Sequence, residues 1–95
     1  MQDGQATISP DILARYAGDA AREVDGVRAV TGRKGVKVEE ANGVVHVEVH
    51  LAVAWGRSIP AIGAAVQQRV REYLAHMAQA AGVEVDVVVD EVGAP

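Results

Sequence analysis

Residues 44–55 read VVHVEVHLAVAW and alternate between apolar and polar side chains. In a β-strand, successive side chains point to opposite faces, so this stretch predicts a long strand with one apolar face. The apolar face is expected to carry Val45, Val47, Val49, Leu51, Val53 and Trp55. The other face is expected to carry Val44, His46, Glu48, His50, Ala52 and Ala54. A chain with such a strand must cover one side of its sheet and can leave the other side in water.

Two segments have the helical periodicity that could supply this cover. The first runs from an N-cap at Ser9, followed by Pro10, to Val24, and the second spans about residues 59–80 after Ser58. The apolar stripe of the first helix is predicted to contain Ile12, Leu13, Tyr16, Ala17, Ala20 and Val24. The stripe of the second is predicted to contain Ile62, Val66, Val70, Tyr73, Leu74 and Met77.

The remaining segments complete a small sheet. Residues 35–40 form a strand that meets the turn signal Asn42-Gly43, residues 83–92 form the last strand, and residues 27–30 form a short extended piece. We therefore predict an α+β, two-layer fold in helix-hairpin-helix-strand order. It has a small mixed three-stranded sheet with two helices on one face. The simplest strand order places residues 35–40 between the long strand and the last strand.

Length and composition limit the organisation and the function. The 95 residues suffice for one domain, expected at 8–92, with a flexible N-terminus at 1–7 and a tail at 93–95. The absence of cysteine fits a reducing cytosol, and no apolar run approaches the roughly 20 residues that span a bilayer. The net charge of −4 makes nucleic-acid binding unfavourable, because phosphate contacts need clustered Lys and Arg.

His46, Glu48 and His50 are the first candidates for a functional site. The two histidines would lie about 13 Å apart along the strand, too far to chelate one ion together. A metal site would need one His, Glu48 and a carboxylate from a neighbouring strand, such as Glu39. A solvated face with cross-strand charge pairs is the favoured interpretation, so no metal and no cofactor is expected.

Evidence for catalysis or RNA binding is weak. Ser9 and Ser58 are better explained as helix caps than as nucleophiles, and no Ser/His/Asp set is evident. The basic segment GRKG (32–35) lacks the Walker spacing; it could bind a phosphate, but a solvated loop is favoured. The element order also suggests a KH-like RNA-binding module, but such modules clamp the RNA backbone with a GXXG loop between two helices, and the GXXG sequence here, GRKG (32–35), lies between predicted extended segments.

Trp55 allows two interpretations. It could close the edge of the core, which is the favoured one, or it could anchor an interface, where Trp is enriched.

Several short motifs occur in a familiar order. They are VDGV at 24–27, Trp55-Gly56 at the end of the long strand, Ile59-Pro60, and Val66-Gln67 followed by Val70. Over residues 8–92 the chain resembles the alkaline shock protein family of Gram-positive bacteria. It departs from the family pattern by having Trp where Tyr is more usual before Gly56, and by the longer turn MAQAAGVEV at 77–85.

The resemblance implies a non-enzymatic cytoplasmic protein of the cell-envelope stress response. Such proteins are recruited to the inner face of the membrane by a small membrane-anchored partner, and they self-associate. No catalytic residues are carried over by the resemblance.

The charge distribution suggests how copies of the chain could meet. Sheet edges that no other element covers tend to pair with another chain. A basic stretch, which contains Arg28, Arg33, Lys34 and Lys37, is expected to contact the acidic last strand of a second copy, which contains Glu84, Asp86 and Asp90. This contact is heterologous and would propagate into a chain or a ring. Together with Trp55, these are the predicted interaction residues.

Overall fold

The computed structural model describes residues 8–32, 35–78 and 80–95. The elements in chain order are α1 (Pro10–Arg22), β1 (Val27–Val30), β2 (Val36–Ala41), β3 (Val44–Val53), α2 (Ile59–Met77) and β4 (Gly82–Val92). The α+β class, the mixed sheet and the two helices are confirmed. The sheet has four strands, one more than predicted, because residues 27–30 also pair with β3.

Both helices begin where the sequence places them. The hydroxyl of Ser9 accepts a hydrogen bond from the backbone N–H of Ile12 at 3.3 Å, and Ser58 accepts one from Ala61 at 3.3 Å. Each serine thereby satisfies a backbone donor that has no partner inside its helix. A proline in the first turn follows each cap.

The long strand β3 lies at the centre of the sheet, and the predicted strand order is wrong. Antiparallel β1 and β2 pair one after the other along one edge of β3, while β4 pairs parallel to it from Val44 to Val53 along the opposite edge. Because β1 and β2 already occupy the first edge, the crossover through α2 brings β4 to the remaining edge. The segment 35–40, predicted between the other two strands, therefore lies at the edge of the sheet.

The core lies between the sheet and both helices. From β3 and β4 it takes Val45, Val47, Val49, Leu51, Val53 and Val85, and from α2 it takes Ile62, Val66, Val70 and Leu74. The apolar face predicted for 45–53 and the buried stripe predicted for α2 at these four positions are confirmed.

Helix α1 turns its small residues inward. Ala17, Gly18 and Ala21 are buried, whereas Ile12 and Tyr16 are 45% and 40% exposed. The prediction that Ile12 and Tyr16 belong to the core is therefore wrong. Small side chains let a helix approach its neighbours closely, and the larger ones are then left at the rim of the contact.

Two turns depend on left-handed backbone conformations. Asn42 and Gly43 have φ angles of 54° and 80°, as the predicted two-residue hairpin between β2 and β3 requires. Gly26, before β1, has a φ of 97°, and a Cβ atom there would lie 2.7 Å from Cδ1 of Ile62. Both the conformation and the space at this position therefore require glycine.

Candidate functional site on the open face of the sheet

The face of the sheet opposite the helices carries most of the charged side chains predicted to matter. We call it the open face. Pairing places Lys37 beside Glu48, Glu39 beside His46, and Glu84 and Asp86 on the far side of these two β3 residues. Carboxylates therefore outnumber basic groups on this face. Its residues on β2, β3 and β4 include Lys37, Glu39, His46, Glu48, His50, Ala52, Glu84, Asp86, Val88, Asp90 and, beyond the register shift, Glu91.

Four side chains on the open face form one hydrogen-bonded group, which we call the His50 cluster. Nε2 of His50 lies 2.7 Å from Oε2 of Glu48, and Nδ1 lies 2.9 Å from Oδ2 of Asp90. The hydroxyl of Thr31 donates to the same Asp90 oxygen at 2.9 Å. A neutral imidazole has one N–H, so only the protonated ring donates to both carboxylates. The cluster joins β3 and β4 to the residue that follows β1.

Asp90 is the diagonal neighbour of His50 across the β3–β4 pair. His50 is opposite Val88, and Asp90, two residues later, lies on the same face, within reach of the imidazole. Between Leu51 and Ala52 the pairing then slips by one residue, so that Ala52 is opposite Glu91. Asp90 is therefore the extra residue of a β-bulge.

The hydrogen bonds shift the titration of all three ionisable groups in the cluster. The hydrogen bond to Glu48, followed by that to Asp90, raises the pKa of His50. The hydrogen bond from His50 lowers the pKa of Glu48, and the hydrogen bonds from His50 and Thr31 lower the pKa of Asp90. Lys37 adds a weaker attraction that also lowers the pKa of Glu48. Each shift favours the charged form of its group, which is the imidazolium of His50 and the carboxylates of Glu48 and Asp90.

His46 forms a second, more exposed charge pair. Its Nδ1 lies 3.1 Å from Oε1 of Glu84, and the two side chains are 50% and 67% exposed. The expected cross-strand charge pairs are thus present, between β3 and β4. In the described ranges no three His, Asp or Glu side chains are grouped so that they could hold a metal ion.

Four of the eight predicted interaction residues share one face of the sheet. Lys37, Glu84, Asp86 and Asp90 lie on the open face. Arg33 and Lys34 lie outside the described residues.

Arg28 lies in an irregularity of β1, between Val27 and Ala29. A Cβ atom built on Gly93 would lie 2.5 Å from Nη1 of Arg28. Because β1 and Gly93 flank opposite edges of β3, the Arg28 side chain crosses the end of that strand.

Trp55 does not close the core. Its side chain is 59% exposed, so the favoured interpretation of this residue is wrong. The reason is that β3 ends at Val53, and Trp55 lies in the turn that follows. Trp55 lines a shallow groove with Arg28 and the segment 93–95, and Val92 nearby is 48% exposed.

Sequence reasoning missed two contributions to the site. Thr31 is one of them, and no sequence signal marks it, because its partner Asp90 lies 59 positions away in the sequence. Gln67 entered only as part of a family motif and Arg71 was not singled out, yet both side chains donate to the backbone of β4. Their four-residue spacing on the flank of the buried stripe was the signal available.

Neither helix in the described part of the chain has the length and apolar character that crossing a bilayer requires. Solved structures of MamM-CTD are similar in fold. A substituted variant has a TM-score of 0.59 at 12% identity and covers 87% of this chain and 99% of that one. A cadmium form has a TM-score of 0.57 at 13% identity, covering 85% and 94%. At such low identity the likeness shows the fold alone.

Sequence comparison gives a closer relationship. The chain is 32% identical over 99 residues to the uncharacterized protein YqhY of Bacillus subtilis strain 168, covering 88% of this chain and 73% of the relative. The sequence model of a family with a cell envelope-related function matches residues 28–94. The chain therefore belongs to this family, the alkaline shock protein family, as the motifs in its sequence suggested.

Proposed function

We propose that the protein is a non-enzymatic scaffold of the cell-envelope stress response. It is held at the inner face of the membrane by a small membrane-anchored partner, and it self-associates. The envelope-related role of the family supports the setting. The observation that carries the binding role is the exposed Trp55.

An exposed tryptophan beside other exposed apolar residues is typical of an interface. Trp55 and Val92 lie at the same end of the sheet, and Ile59, 40% exposed, starts the following helix. Tryptophan and arginine are the residues most often found at the energetic centres of interfaces. Trp55, with Arg28 in the same groove, is therefore the proposed contact for the membrane-anchored partner.

The open face supports self-association. Glu84 and Asp86 are exposed on one edge of the sheet, and Arg28 and Lys37 lie toward the other edge. A heterologous contact joins the acidic edge of one copy to the basic edge of the next. RNA binding is not favoured, because the carboxylates on this face repel a phosphate backbone.

Membrane recruitment in native cells tests the proposal. Wild-type protein should sediment with membrane vesicles and should be released by detergent together with a smaller membrane protein. Trp55→Ser should weaken this binding roughly thirtyfold, the loss expected for an interface centre. Tyr16→Ser, which also removes an exposed aromatic ring, is the matched control and should bind like wild type.

Sedimentation velocity of the purified protein tests the self-association arm. Assemblies present at 0.1 M salt should dissociate at 1 M, where the screening length falls from about 10 Å to about 3 Å. Full membrane binding by Trp55→Ser would refute the proposed partner contact. A strict monomer at both salt levels would refute self-association.

A further inference from the structure

The outer edge of β4 is covered along only part of its length. Along its inner edge β4 pairs with β3, and within the described part of the chain no strand pairs with its outer edge. Two side chains of α2 reach the first half of this edge. Nε of Arg71 donates to the carbonyl oxygen of Val83 at 3.3 Å, and Nε2 of Gln67 donates to that of Val85 at 3.1 Å.

These two contacts follow a regular spacing. Four residues on α2 advance by about 6 Å, close to the roughly 6.6 Å covered by two residues of β4. From Val83 to Val85 along β4, the contacting residue of α2 changes from Arg71 to Gln67, which is four positions earlier in the helix. If this spacing continues, the next step would bring Gly63 level with Val87, and a second would bring Ile59 level with Val89.

The covering side chains therefore stop halfway along the strand. Neither Gly63 nor Ile59 has a side chain that can donate a hydrogen bond. A Cβ atom on Gly63 would meet nothing within 4 Å, so there is open space at this position of α2.

Strand alternation then leaves backbone groups available. In a parallel ladder, alternate residues direct their N–H and C=O groups to alternate edges. Val83 and Val85 direct theirs outward, so Val87 and Val89 do the same. Two N–H and two C=O groups are thereby presented at the edge, which is the requirement for adding a strand from another chain.

We propose that Val87–Val92, the free edge segment, is a strand-addition site for an extended segment of a partner protein with Lys or Arg at every second position. The proposal rests on the interaction role proposed above and specifies a binding mode for it. The charges beside the segment select the partner. Asp86 and Glu91 are exposed, and in the described residues neither forms an ion pair, whereas Asp90 is already bonded to His50 and Thr31.

The alternate positions of the added strand should be apolar. They would face the side on which Val87 and Val89 lie, close to the exposed side chain of Ile59. A second copy of β4 is a poor occupant, because its own Glu84, Asp86 and Asp90 would meet like charges across the pair.

A peptide of sequence Lys-Val-Lys-Val-Lys-Val-Lys, labelled for fluorescence anisotropy, is the probe. Gly63→Gln extends the row of covering side chains to Val87 and should weaken peptide binding about tenfold, through the loss of one or two backbone hydrogen bonds. Ala64→Gln, one position along the same helix and exposed, is the matched control and should bind like wild type. Thermal unfolding verifies that Gly63→Gln is folded; replacing this helical glycine should raise the melting temperature.

Two modified peptides separate strand addition from simple charge attraction. One is N-methylated at its Val amides and the other at its Lys amides. An added strand turns one set of amides to the edge, so only one of the two modified peptides should lose binding. The proposal is overturned if wild type does not bind the parent peptide, if Gly63→Gln binds it equally, or if both modified peptides bind alike.

The outcomes also separate this proposal from the proposed function. Membrane recruitment that depends on Trp55, without peptide binding, refutes strand addition and leaves the scaffold role intact. Peptide binding without membrane recruitment refutes the scaffold role and leaves strand addition intact. Loss of self-association in Gly63→Gln would identify a second copy as the occupant and would overturn the basic partner segment.

Discussion

Along β3, Val45, Val47 and Val49 lie against two helices, whereas the intervening polar side chains contact one another and side chains of β4. The apolar side requires only that these valines are buried, and any strand register that keeps them facing the helices meets this requirement. The open side depends on the register itself, because the pairing of β3 with β4 decides which carboxylates lie beside His46 and His50. One alternation in the sequence thus produces two surfaces with different tolerances to change.

The largest expected effect comes from exchanging the character of the two sides. Val49 is fully buried, so Val49→Asp places an unpaired charge in the core at a cost of several kcal/mol, against a typical total stability of about 5–15 kcal/mol. Val49→Asp should unfold the domain, and Glu48→Ala should leave it folded. Circular dichroism during urea titration measures both. Similar midpoints for the two variants would show that the sides contribute equally.

The His50 cluster should give a stability difference that depends on pH. The pKa of His50 is raised in the folded protein, so its contribution is complete below the unfolded value of about 6.5 and is lost as the pH rises through the folded value. The lowered pKa values of Glu48 and Asp90 give contributions that are present above about pH 4 and lost on further acidification. The cluster therefore stabilises most at about pH 5–6.

The test compares wild type with His50→Gln, which keeps a hydrogen-bonding side chain but removes the charge. Urea midpoints should differ more at about pH 5.5 than at about pH 8.5. His46→Gln is the control, because its charge pair is more exposed and contributes little. An equal difference in urea midpoint between wild type and His50→Gln at both pH values would contradict a charged cluster.

The smallest expected effect is on zinc binding. Glu48 and Asp90 hold opposite nitrogens of the His50 ring, so one ion cannot contact both carboxylates and a single ring nitrogen. Isothermal titration with zinc should show no sub-micromolar site. A tight one-to-one site that disappears in His50→Ala would prove this geometry wrong.

The sequence predicts the parts of the fold that depend on local patterns. The caps at Ser9 and Ser58, the Asn42-Gly43 hairpin and the buried side of β3 each follow from a few neighbouring residues. The inward face of α1 was predicted only in part. Leu13, Ala17 and Ala20 are buried as predicted, whereas Ile12 and Tyr16 are exposed, and Gly18 and Ala21 are buried although they were not predicted.

The parts that sequence reasoning missed depend on distant pairing. The position of β4 beside β3 is decided by which edge β1 and β2 leave free. The contact of Thr31 with Asp90 joins residues 59 positions apart through a bulge. The alternation of side chains therefore predicted that His46, Glu48 and His50 face away from the core. It did not predict that carboxylates contact both ring nitrogens of His50.

Because β3 is central, its two edges are covered by other strands at different times during synthesis of the chain. The chain emerges from its N-terminus, so β1 and β2 are available to pair as soon as β3 is made, while the partner on its other side begins only at Gly82. Until then a ten-residue, valine-rich strand has one open edge. When β4 pairs with β3, that edge of β3 is covered. The exposed edge of the sheet is then the outer edge of β4, which carries four carboxylates. Such a charged edge discourages pairing between identical chains.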